Sequence, residues 1–91
     1  MVKTYFTIER NSSIRLPTLL LQDGFKFFFY ANEHLPKHIH VTKAENFCKI
    51  NLEKMSVVEN YFKKTDLQKV LTITKQNREY FLDKWNEYFK G

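Results

Sequence analysis

Three histidines, His34, His38 and His40, fall within seven residues, and they are all the histidine the chain contains. They belong to the stretch Asn32-Glu33-His34-Leu35-Pro36-Lys37-His38-Ile39-His40-Val41, which follows the most apolar run of the sequence, residues 19–30. Imidazole is a metal ligand and also the side chain whose charge changes near neutral pH, so the cluster admits three chemistries. As a metal centre, His34, His38 and His40 would hold zinc or another divalent ion with an open position, and Glu33 would serve as a further ligand or a base. As an acid–base centre, His38 or His40 would move protons while Lys49 stabilises developing negative charge, with Glu33 beside them. A ribonuclease needs little beyond that, since the ribose 2′-OH is a built-in nucleophile. As a non-catalytic surface, the histidines and Asn32 would fix the loop by hydrogen bonds or present a face to a protein or nucleic-acid partner. There is no HExxH motif and no cysteine partner for the histidines, so no cofactor is firmly implied.

Two hairpins are expected to position these residues. In residues 17–30, Leu19-Leu20-Leu21-Gln22 and Phe25-Lys26-Phe27-Phe28-Phe29-Tyr30 flank Asp23-Gly24. A type I′ turn needs positive φ at both central positions, which Asp and Gly tolerate. Pairing across that turn sets Leu20 opposite Phe27 and Leu19 opposite Phe28, with apolar groups on both faces, as in a central or doubly covered hairpin. Asn32 to Lys37 form the connecting loop, where Pro36 forbids helix at Leu35 and cannot donate to a ladder. Residues 38–52 read as a second hairpin around Ala44-Glu45. That loop sets Val41 opposite Cys48 and Ile39 opposite Ile50 on an apolar face, with His40 opposite Lys49 and His38 opposite Asn51 on the reverse. One side thus faces a core, and the other bears two imidazoles, an ammonium and an amide. Tyr30, Asn32, His34 and Asn51 are the candidate binding residues around it.

The flanks complete an α+β design. Residues 1–13 form an N-terminal extension in which Val2, Thr4, Phe6 and Ile8 alternate with Lys3, Tyr5, Thr7 and Glu9, the pattern of an edge strand at 2–9. Such a strand joins the main sheet or pairs with a second copy in a homodimer. Residues 55–58 suit one more short strand, and Tyr61-Phe62 are expected to fold back onto the core. Thr65 with Gln68 spells a capping box opening a helix over about 65–76, and Asp66 favours its N-terminus. Leu67, Val70, Leu71 and Thr74 share one face of it. Asn77 is a plausible N-cap for a second helix over about 78–90, with Phe81, Leu82, Trp85, Tyr88 and Phe89 on one face. The expected fold is a small antiparallel sheet of two hairpins plus edge strands, packed against these two helices.

The whole chain bounds the rest. Ninety-one residues make a single domain with one modest core, which nine Phe, five Tyr and one Trp are well suited to fill. The lone cysteine, Cys48, cannot form an internal disulfide, which points to a reducing, cytoplasmic setting. Placed mid-strand among apolar residues, it reads as buried and inert. No secretory h-region and no membrane-length apolar stretch are present, so no membrane partner is expected. Net charge is +5, concentrated in residues 1–64, which carry ten basic and six acidic side chains. A mildly basic face toward RNA is compatible with that balance, although no dense basic run exists.

Leu16-Pro17-Thr18, Asp23-Gly24, Phe28-Phe29-Tyr30, Asn32-Glu33-His34-x-Pro36-x-His38-x-His40-Val41 and Trp85-Asn86-Glu87-Tyr88-Phe89 together resemble a family of small bacterial and phage-borne domains of unknown function. Its pattern is roughly F-Y-x-N-E-H-x-P-P-H-V-H-V with a closing W-x-E-Y-F helix, and the resemblance runs over residues 16–89. Family members often lie beside a second small domain in a layout suggestive of a toxin–antitoxin pair, and some are regarded as host-inhibiting toxins. The resemblance therefore implies a bacterial cytoplasmic protein with a cognate antitoxin-like partner, and it singles out Tyr30, Asn32, Glu33, His34, Pro36, His38 and His40. Lys37 departs from the pattern where the family has its second proline, and residues 1–15 extend beyond its usual start. The family carries no settled chemistry with it.

Overall fold

The first hairpin forms at the turn expected of it, with φ of 53° at Asp23 and 83° at Gly24. The computed structural model describes residues 14–90; the strand expected at 2–9, and homodimerisation through it, fall outside the described residues. Five strands, β1 (Leu20–Gln22), β2 (Phe25–Phe28), β3 (His38–Lys43), β4 (Asn46–Asn51) and β5 (Ser56–Asn60), pair antiparallel in chain order. Two helices follow, α1 (Lys64–Gln76) and α2 (Arg78–Tyr88). The α+β architecture read from the sequence is therefore the one found.

Register across β3 and β4 is the one the hydrophobic pattern requires: His38↔Asn51, Ile39↔Ile50, His40↔Lys49 and Val41↔Cys48. A shift by one residue would exchange the two faces and bury imidazole in place of Ile and Val. Phe25, Phe27, Ile39, Val41, Cys48 and Ile50 form the core face and are fully buried. The helices cover it with Val70, Ile73, Phe81 and Trp85. Phe27 stacks on Phe81 at 5.5 Å and Phe29 meets Trp85 edge-on at 5.3 Å. Each buried side chain of this size contributes roughly 1.5–3 kcal/mol by leaving water.

Four local expectations are corrected. Leu19 does not pair with Phe28; its N–H bonds to Phe27 O at 2.8 Å, and pairing resumes at Arg15↔Tyr30, two residues out of step. Pro17 lies inside this offset and has no N–H for a regular ladder. The N-cap of α1 is Lys63, and its side chain makes no cap bond, so Thr65 lies inside the helix and forms no capping box. Only Phe62 of the Tyr61-Phe62 pair turns inward, meeting Phe25 edge-on at 5.5 Å, while Tyr61 stays exposed. Asn60 fixes this by holding both the N–H and the C=O of Phe62. Tyr88 likewise remains exposed at the end of α2.

Asn77 does separate the helices, but its side chain serves α1: Nδ2 donates to Ile73 O at 2.8 Å. Arg78 then ties α2 to the sheet through Nε to Leu52 O at 2.6 Å.

Three turns hold a non-glycine residue at positive φ, namely Asp23, Ala44 and Met55. Ala44 adopts φ of 55° in the β3–β4 turn, where a Cβ is disfavoured. Ala44→Gly is expected to raise stability by about 0.5–1 kcal/mol, the relief outweighing glycine's greater unfolded-state freedom. The urea midpoint measures it; a lower midpoint would show that the turn is unstrained.

Candidate functional site

Because Ile39 and Val41 point into the core, His38 and His40 project from the opposite face of β3. That face is bordered at its His38 end by Trp85 of α2, 5.2 Å from the imidazole ring. Its floor is Phe28, buried beneath the guanidinium of Arg15 at 4.5 Å and the ring of His40 at 5.7 Å. Tyr30 closes edge-on against His40 at 4.6 Å.

The loop between β2 and β3 folds Glu33 over this floor. Tyr30 N–H donates to Glu33 Oε2 at 2.9 Å, which curls the loop back on itself. Glu33 Oε1 then lies 2.8 Å from His38 Nε2, and Oε2 lies 2.7 Å from His40 Nε2. Each of the three residues offers one ligand atom, and these atoms all lie within 4.8 Å of one another. The Glu33 side chain is only 9 % exposed.

Proton placement in this cluster is tightly constrained. His38 Nδ1 lies 2.7 Å from Pro36 O, a carbonyl that can only accept, so Nδ1 carries hydrogen. The other nitrogen, Nε2, faces a carboxylate oxygen that also accepts. A neutral ring cannot satisfy both contacts. His40 Nε2 is fully buried and has no partner in hydrogen-bonding geometry despite its short distance to Oε2. That approach is an electrostatic contact, not a hydrogen bond. Burial pushes the Glu33 carboxyl pKa up, but His38, His40 and the Tyr30 N–H outweigh it and hold the group well below the usual carboxylate range.

Two cavities flank the cluster. One, of about 310 Å³, is lined by Asn32, Glu33, His34, Pro36, His38 and Lys49 among others. The other, of about 360 Å³, lies beside His40, Tyr30, Phe28, Arg15 and Phe47. A small anion or one nucleotide fits spaces of this size, with Lys49 on one side and Arg15 on the other.

The sequence-derived candidates separate accordingly. Glu33, His38 and His40 come together. Lys49 lies opposite His40 in register and lines the cavity with Glu33 and His38. His34 is exposed and outside the three-residue cluster, so Glu33 takes the place that the three-histidine metal reading gave it. Asn32 is also exposed at the cavity mouth. Tyr30 contributes its ring to His40 and its N–H to Glu33. Asn51 is buried, and its side-chain oxygen accepts from Glu53 and Lys54 N–H at 2.8 and 2.9 Å, so that acceptor belongs to the β4–β5 turn. Arg15 and Phe28 were not singled out in the sequence. Arg15 reaches the site only because the Pro17 offset sets it against Tyr30, and no residue pattern announces that.

The matching family description is Domain of unknown function (DUF4160), over residues 24–86. The chain belongs to this family. The matched segment holds Glu33, His38, His40, Lys49 and Tyr30, and it begins after Arg15 and β1. Comparison with curated proteins and with solved structures gave no significant match. No helix among the described residues is long and apolar enough to cross a membrane.

Two side chains should prove structural in solution. Asn51→Ala orphans two N–H groups and should cost about 1–3 kcal/mol, whereas Asn51→Asp keeps the acceptor and most of the stability. Equal losses in denaturation for both variants would refute the turn assignment. Cys48 is fully buried on the core face, and burial pushes its thiol up to about 12. Iodoacetamide at pH 8 should leave the native protein unlabelled and modify it only in denaturant; stoichiometric native labelling would contradict this.

Proposed function

We propose that this chain is the toxin-like component of a bacterial toxin–antitoxin pair, cytoplasmic and held in check by a cognate antitoxin-like partner. It acts through the Glu33–His38–His40 face, and RNA is its target class. The observation that carries the site is the burial of Glu33 between two imidazoles on the strand face opposite Ile39 and Val41. A small domain gains little stability from such an arrangement, since apolar residues of similar volume commonly serve as well or better. The toxin half rests on the resemblance over residues 16–89 to a family whose members often lie beside a second small domain.

An RNA target suits the surroundings. Arg15 and Lys49 stand at the two cavities, and the exposed rings of Phe47 and Tyr61 lie 4.6 Å apart beside them. Cations that track a backbone and rings on which bases stack are the two requirements of single-strand binding. In cleavage, a base held at the Glu33–His38–His40 cluster would take the 2′-OH proton as the 2′-oxygen attacks phosphorus and the 5′-oxygen leaves, while Lys49 or Arg15 meets the charge developing on the phosphate.

Induced expression in a bacterial host provides the test. Wild-type chain should arrest growth, and His40→Ala and Glu33→Gln should relieve the arrest while keeping the wild-type circular dichroism spectrum. Cleavage of single-stranded RNA by the purified variants should fall by about 100-fold or more, as when a proton-transfer group is lost. Harmless wild-type expression would overturn the toxin reading. Folded variants of undiminished toxicity would move the action away from the histidine face, and a toxic wild type without RNA cleavage would make that face a binding surface.

A further inference from the structure

With neutral imidazoles, the three-residue cluster turns nitrogen lone pairs toward a carboxylate. Pro36 O fixes the proton of His38 on Nδ1, which in a neutral ring leaves a lone pair on Nε2. That lone pair points at Glu33 Oε1 from 2.8 Å. The buried Nε2 of His40 approaches Oε2 to 2.7 Å without the alignment that a shared proton needs. Two imidazole nitrogens and a carboxylate thus converge, their ligand atoms all within 4.8 Å of one another.

We propose that Glu33, His38 and His40 bind a first-row divalent transition-metal ion, as a two-histidine, one-carboxylate centre with coordination positions left for water or substrate. Donors bound side by side to one ion at about 2.0–2.2 Å stand about 2.8–3.6 Å apart across octahedral and tetrahedral geometries, so the observed 2.7 and 2.8 Å open by less than about 1 Å on binding. Pro36 O performs for His38 what a carbonyl does for ligating imidazoles generally: it holds Nδ1–H and aims Nε2 at the ion. On β3 the two histidines share one face at the two-residue spacing of a strand, and the Tyr30 N–H anchors the carboxylate before metal arrives.

The donor set favours Zn²⁺, Fe²⁺, Mn²⁺, Co²⁺ or Ni²⁺ over Mg²⁺ and Ca²⁺, which take oxygen ligands. Thiolate ligation is excluded by position, since Cys48 lies on the core face. The flanking cavities of about 310 and 360 Å³ leave room for a phosphate or similar anion at the open positions. This inference rests on the reading of the cluster as a working site and not on the toxin assignment. Metal content is measured on purified protein and growth arrest in cells, so either can fail alone.

Tag-free full-length protein, stripped with chelator and dialysed, should take up one Co²⁺ or Zn²⁺ per chain by calorimetry and elemental analysis. The Co²⁺ form should show visible d–d bands and no thiolate charge-transfer band. Glu33→Gln, His38→Ala and His40→Ala should each weaken binding by about 100-fold or more, above the 10–100-fold typical of outer-shell changes. His34→Ala should bind as wild type. If His38→Ala fails to fold, Glu33→Gln and His40→Ala carry the test. Failure of folded wild-type protein to bind any of the five ions stoichiometrically would overturn the proposal, as would binding that survives Glu33→Gln and His40→Ala. Nitrogen-15 imidazole spectra of His38 would then show a doubly protonated ring, the proton occupying the place assigned to the ion.

Discussion

Everything at the candidate site depends on one constraint, the alternation of β3. Ile39 and Val41 must enter the core, and the strand's two-residue period then sends His38 and His40 to the other face. Pairing with β4 reinforces the choice, because Ile50 and Cys48 lie opposite them on the same apolar side. The hydrophobic effect acting on four side chains therefore sets the face on which the two imidazoles lie. The Cα positions of the two histidines cannot shift relative to one another without moving the core.

The second tier is electrostatic. A carboxylate with little solvent exposure must be compensated, and Glu33 is compensated by groups that arrive from separate segments: the Tyr30 amide, His38 and His40. Burial alone would favour the protonated acid; these neighbours reverse the balance. The result is a preorganised anionic centre whose surroundings are rigid rings, Phe28, Tyr30 and Trp85, and a loop curled on itself. Preorganisation of this kind is what a site needs when it must hold a ligand or a proton in a fixed place.

The two faces of the sheet divide the labour. The helices seal one with aromatic packing, which supplies the stability a chain of this length needs. The other keeps an open floor with a guanidinium, an ammonium, paired aromatic rings and the buried acid. Membership in the DUF4160 family covers the strand face and its loop, and stops short of the N-terminal arm that brings Arg15.

How much of this was legible follows from the range of each interaction. Turn chemistry at Asp23-Gly24 and alternation across Ala44-Glu45 are local, so the second hairpin's register, its divided faces and the pairing of His40 with Lys49 could be read directly from residue order. Helix ends were less legible, because Thr65 competes with a chain already held by Asn60 and Phe62. The partner of the strand histidines was not decided by order at all. His34 and Glu33 are neighbours in an irregular loop, and either could have reached the strand. Only the folded loop, closed by Tyr30 N–H and Pro36 O, turns Glu33 inward and His34 out. That two histidines share a polar strand face follows from residue order alone, through a fixed two-residue repeat. Tertiary structure alone decided that a buried carboxylate completes them, since that depends on where a non-repeating loop can satisfy its own backbone.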